Sequence, residues 1–137
     1  MSIRKKNILF SLTALVVGCF LYVFFRENTY VGNIFDSIEI IEKVRQMFST
    51  QMCNLCKFYL PDFLWGFSLS CGLIGIYEPS TKGIIICASV AFVCGCMWEL
   101  LQRIGMLSGT GDVYDIIMYF LASAICIIIN LKETTEK

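Results

Sequence analysis

The sequence predicts an all-α fold, a four-helix transmembrane bundle with one amphipathic interfacial helix between the first and second spans. Three observations predict it. Of the 137 residues, 57% are hydrophobic and only 16% charged, with mean hydropathy +0.71. Soluble domains carry roughly 25% charged residues, and a soluble chain this short could not bury so much apolar surface. Four apolar stretches approach the length, about 20 residues, that a helix needs to cross a hydrocarbon core about 30 Å thick. Within lipid every backbone polar group must be satisfied internally, so spans of this spacing are helices. The length supports a single domain over residues 1–137.

The first span, about residues 8–25, is uncharged and follows Arg4, Lys5 and Lys6. That start has the form of a signal-peptide n-region, and Val16-Val17-Gly18-Cys19 fits a loose lipoprotein cleavage site. The apolar run continues through Phe20-Leu-Tyr-Val-Phe-Phe25, where a lipoprotein turns polar, so a retained anchor is expected. Between the first two spans, Val31, Ile34, Phe35, Ile38, Ile41, Val44 and Phe48 recur at three- and four-residue steps among charged residues. This is the pattern of an amphipathic helix over about 31–48, lying at the interface or capping the bundle mouth.

The second span, about 59–77, opens on Pro61-Asp62. The third, about 83–101, closes on Glu99, and the fourth, about 112–131, opens on Asp112 and Asp115. Alternating threading brings all four acids to one membrane face. Gln102 and Arg103 join them, since they share a helix face with Glu99 at i+3 and i+4. Arg4, Lys5, Lys6, Lys82, Lys132 and Lys137 fall on the opposite side, against Arg26, Lys43, Arg45, Lys57 and Arg103 on the acidic side. The basic start places the termini in the cytoplasm and the acidic face outside it.

Equal numbers of acidic and basic residues give no footprint for nucleic acid. No histidine occurs, which removes Ser-His-Asp, Cys-His and H-E-x-x-H chemistry. Carboxylates are left as the acid–base groups. Charged side chains within spans rarely face lipid and often mark function. Glu99 and Asp115 are the leading candidates for a polar pocket, with Gln102, Arg103, Asp62 and Asp112 in support. The structural readings are specific too. Asp62 complements a helix dipole, Asp112 is an N-cap, and Arg103 pairs with Glu99 or Asp115. A pocket of this charge could hold a divalent cation bridging a phosphate headgroup, hydrogen-bond a sugar or amide of an envelope precursor, or carry a proton on a raised-pKa carboxylate.

Of eight cysteines, six lie within apolar stretches and are read as packing residues. Cys53 and Cys56 form a single C-x-x-C pair outside the hydrocarbon. One pair without histidine is a weak zinc signal, and a local disulfide is the other reading. Gly66, Ser70, Gly72 and Gly75 on the second span permit close helix approach, either within the bundle or toward a partner.

Glu99-Leu-Leu-Gln102, a Gly-rich loop, and Gly111-Asp112-Val-Tyr-Asp115-Ile-Ile together resemble the VanZ-like family of small bacterial membrane proteins. That family carries E-x-x-Q near the end of one span, then an Asp opening the last. Glu99, Gln102 and Asp115 match its polar positions, and Leu60–Trp65 is similar to the start of one of its spans. The likeness covers roughly residues 58–131, about half of the chain. Tyr119 and Ala122 stand where the family has Asn and Gly, and the loop Ser108-Gly109-Thr110-Gly111 lacks an Arg often found there. The resemblance implies a multi-pass protein of the bacterial cytoplasmic membrane, in contact with lipids and connected to the cell envelope and glycopeptide (teicoplanin-type) resistance. The family sets no reaction. A carboxylate- or metal-dependent enzyme acting on a lipid headgroup, and a non-catalytic small subunit with a membrane-protein partner, remain the alternative functions.

Overall fold

The computed structural model describes residues 2–25, 43, 58–77, 80–107 and 109–135. The expected interfacial helix over 31–48 and the Cys53/Cys56 pair lie outside the described residues. Four α-helices, and no strands, make up the described fold. They are α1 (Ile3–Phe25), α2 (Leu60–Ile76), α3 (Thr81–Arg103) and α4 (Val113–Thr135).

Each helix follows from local chemistry. α1 begins five residues ahead of the expected span, at Ile3 rather than residue 8. A helix needs no apolar residue in its first turn, and Arg4, Lys5 and Lys6 are good helix formers. α2 has Pro61 in its first turn, where a missing N–H is harmless. Ser80 caps α3, its Oγ accepting from the Gly83 N–H at 3.0 Å. Asp112 caps α4, its Oδ1 accepting from the Tyr114 N–H at 3.0 Å. α1, α3 and α4 are long and apolar enough to cross a membrane. α2, at 17 residues, is shorter, about 26 Å at 1.5 Å per residue.

α2 is the hub, packing on α1, α3 and α4, while α3 also packs on α4. Its small residues set this up. A Cβ at Gly72 would lie 2.9 Å from Ser11 Oγ, and one at Gly75 would lie 2.8 Å from Ile8, so that face is filled by α1. A Cβ at Gly66 would meet Tyr119 and Ala122 of α4 at 3.0 and 3.3 Å. The close approach predicted for this stripe is therefore used inside the bundle.

The molecule is apolar outside and polar within. Leu12, Val16, Ile86, Val93, Phe120 and Ile128 are exposed, whereas Asn7, Ser68, Ser70, Glu99, Asp115, Ser123 and Asn130 are buried. Lipid gives helices no hydrophobic reason to associate. Small residues and interhelical hydrogen bonds do that work instead, and both are present. Asn7 and Asn130 exchange amide bonds at 2.6 and 3.1 Å. Ser68 Oγ donates to the Ser11 carbonyl at 2.9 Å, and the Ser70 and Ser123 hydroxyls lie 3.4 Å apart. The chain is a membrane-embedded protein by this distribution together with its three long apolar helices.

Candidate functional site at the acidic end of the bundle

The threading places the α1 and α3 N-termini with the α2 and α4 C-termini at one end. There Lys6 forms a salt bridge with Glu133, and Arg4 Nε donates to the Gly75 carbonyl at 3.0 Å. The opposite end collects the N-termini of α2 and α4 and the C-terminus of α3, and with them every residue picked out for the site.

Glu99 is 4% exposed. It sits at the C-terminal end of α3, where the helix dipole disfavours a carboxylate, but its side chain leaves its own helix. Glu99 Oε2 accepts from the Asp112 N–H at 3.1 Å. The acid thus reaches the N-terminal entrance of α4, where the dipole favours negative charge and backbone N–H groups lack intrahelical partners. The intervening loop is drawn tight against α3. A Cβ at Gly111 would lie 2.6 Å from the Glu99 carbonyl oxygen, and one at Gly109, whose φ is 137°, 2.5 Å from Gln102 Nε2. These two glycines let the loop cross the end of α3 closely enough for Glu99 to span the gap.

Asp115, in the first turn of α4, is 7% exposed. One turn further, Tyr119 is also 7% exposed, and its hydroxyl donates to Asp62 Oδ1 at 3.2 Å. Carboxylates from α2, α3 and α4 therefore gather at this end of the bundle, and the one from α2 accepts from the Tyr119 phenol. The ring is wedged between two glycines. A Cβ at Gly95 of α3 would meet Tyr119 Cγ and Cδ2 at 2.6 Å, and one at Gly66 of α2 would meet Cδ1 at 3.0 Å. Tyr59 and Tyr114 close the rim, their ring centroids 5.6 Å apart.

The candidates separate as follows. Glu99 and Asp115 are buried, Asp62, Gln102 and Asp112 are half-buried, and Arg103 is exposed. Asp112 acts as the helix cap. Arg103 packs its stem beside Gly111, and the expected ion pair to Glu99 or Asp115 is not formed among the described residues. Its place in the last turn of α3 turns the guanidinium outward. No group of three or more His, Cys, Asp or Glu among the described residues is arranged to hold a metal ion. Glu99, Asp112 and Asp62 each accept a hydrogen bond.

Tyr119 is the residue that sequence reasoning left out of the site. Its signal was present: on α4, Asp115, Tyr119, Ser123, Cys126 and Asn130 follow at steps of three and four, one continuous polar stripe along a span. Each is buried and faces α1, α2 or α3. Below the acids, an apolar groove of about 330 Å³ lies between α3 and α4, lined by Ala88, Phe92, Phe120, Ser123 and Ile127 among others.

No family model matches the chain, and no curated protein or solved structure matches it either.

Proposed function

We propose that this is a VanZ-like protein of the bacterial cytoplasmic membrane, with cytoplasmic termini, whose acidic end binds an envelope-related ligand on the outer side. Through that ligand it changes how glycopeptide antibiotics of the teicoplanin type reach their target. The observation that carries the reading is the burial of Glu99 and Asp115 at the end of the bundle where Asp62 accepts from Tyr119, with one acid from each of three helices. Burying carboxylates is expensive, and in membrane segments it usually marks a functional site. Here helix N-termini and a phenol offset that expense. A cluster of this sign attracts hydrogen-bond donors such as the amines, amides and hydroxyls of a cell-envelope precursor, and repels bare phosphate. Arg4, Lys5 and Lys6 at the far end support the orientation.

The test is teicoplanin susceptibility of a sensitive bacterium expressing the chain, with membrane insertion measured in parallel. Wild type should lower susceptibility several-fold. Glu99→Gln and Asp115→Asn, which keep size and an acceptor oxygen, should return it to the vector level while inserting normally. Full protection by both variants would overturn the proposal.

A further inference from the structure

The groove between α3 and α4 has an aromatic stop at one end and lysines at the other. Its floor is made of small residues. Ala88 is fully buried and Ser123 nearly so, and with Ala124 they leave about 330 Å³ where larger side chains would pack. Ser89, Phe120 and Ile128 on its walls are exposed, so its flank lies open to lipid. Phe92 and Phe120 are the lining residues nearest the acidic end of their helices. Their rings meet edge to face across the gap, centroids 5.9 Å apart, and bar the groove from that side. Two rows of side chains lead away from this stop. On α3, Phe92, Ser89, Ile85 and Lys82 follow at steps of three and four, and on α4, Phe120, Ala124, Ile128 and Lys132 follow at steps of four. Each row ends on an exposed lysine at the basic end. Neither lysine takes part in an ion pair among the described residues, and the neighbouring Glu133 is engaged by Lys6. Along α4, Ile128 and Phe120 lie about 6 and 18 Å from Lys132 at 1.5 Å per residue. With the lysines at headgroup level, that is the depth of one leaflet's acyl chains in a core about 30 Å thick.

We infer that this groove seats one acyl chain of a phospholipid of net negative charge, whose phosphate is held between Lys82 and Lys132. An apolar gap left empty forfeits dispersion contacts along its walls, and walls this apolar offer water no partners. A flexible hydrocarbon chain restores those contacts. The aromatic stop decides the direction of entry. A chain let down from the acidic end meets Phe92 and Phe120, whereas one from the basic end enters the groove with its headgroup at the lysines. The charges decide the headgroup. Two ammonium groups carried outward on apolar stems complement an anionic phospholipid better than a zwitterion that carries its own cation. This site lies at the opposite end from the ligand proposed above and stands without it.

The experiment uses the full chain in phosphatidylcholine vesicles doped with a photoreactive lipid. The probe is phosphatidylglycerol or phosphatidylcholine with the same acyl chains, one of them bearing a diazirine at mid-chain. After illumination the digest is mapped by mass spectrometry. The phosphatidylglycerol probe should label the groove residues several-fold more often than Leu12 and Val16, which are exposed on α1. The phosphatidylcholine probe should show no such preference. Lys82→Gln combined with Lys132→Gln should bring groove labelling down to the α1 level. Lys5→Gln, which removes an exposed lysine of α1 at the same end, should leave it unchanged. Equal labelling of the groove by the two probes, or an equal loss in Lys5→Gln, would overturn the inference. So would an unlabelled groove, the outcome if a second copy of the chain or a partner helix fills it.

Discussion

Gly95→Ala reverses the ordinary effect of its substitution, and the reason is Tyr119. In a helix interior alanine is favoured over glycine by about 0.5–1 kcal/mol, because glycine loses more backbone freedom on folding. Gly95 lies well inside α3, so propensity alone makes Gly95→Ala stabilising. The new methyl, however, would sit 2.6 Å from Tyr119 Cγ and Cδ2. Toward α2 the ring has only the narrow space that the missing Gly66 side chain leaves, since a Cβ built there would lie 3.0 Å from Cδ1 and the α2 backbone stands directly behind it. Ring and helix must shift together, and overpacking of this kind costs about 1–3 kcal/mol. The shift also strains the bond from the Tyr119 hydroxyl to Asp62, 3.2 Å in the native bundle. Gly95→Ala should therefore destabilise the bundle by about 1–2 kcal/mol net, the overpacking loss less the propensity gain. In a Tyr119→Ala background the clash is gone and the same change should stabilise by about 0.5 kcal/mol. The two effects differ by about 2 kcal/mol, a coupling readily measured by a double-mutant cycle. Denaturant unfolding in detergent micelles, followed by helical circular dichroism, supplies the four stabilities. Gly95→Ala as stable as wild type, or more so, would refute the wedge.

Two further outcomes follow from the hydrogen-bonded interior and the helix cap. Asn130→Leu leaves the Asn7 amide buried without its reciprocal partner and should cost about 1–2 kcal/mol, while Asn7→Leu combined with Asn130→Leu should recover much of the loss in the same unfolding assay. Asp112→Ala removes the acceptor of the Tyr114 N–H at the start of α4; it should cost about 1 kcal/mol and speed amide exchange at Tyr114, and Asp112→Ser should restore both.

Much of the architecture could be read in advance. The four apolar runs became four helices, with ends differing by a few residues where a capping serine or a basic first turn extended them. Alternating threading placed Asp62, Glu99, Asp112 and Asp115 at one end, because only antiparallel neighbours can be joined by connections as short as those after Ile76 and Arg103. The capping reading of Asp112 followed from Gly-Thr-Gly before it. Less legible was what each acid touches. Glu99 accepts from a backbone group thirteen residues on, and Arg103, four residues further on the same face, is turned outward. Helical periodicity assigns a face to within about 100°; it does not say whether a long side chain at the last turn crosses to a neighbouring helix or leaves for the surroundings.

Composition alone determined that this chain lives in a membrane and folds as helices, since a backbone in lipid must satisfy itself and 57% hydrophobic residues leave no soluble alternative. Tertiary structure decided which polar groups meet: Asn7 with Asn130, Cys71 with Cys126, and Tyr119 between Gly66 and Gly95. Those meetings depend on how far each helix is rotated about its own axis. The closest fit of small residues against large ones sets that angle, and it exists only once all four helices are packed together.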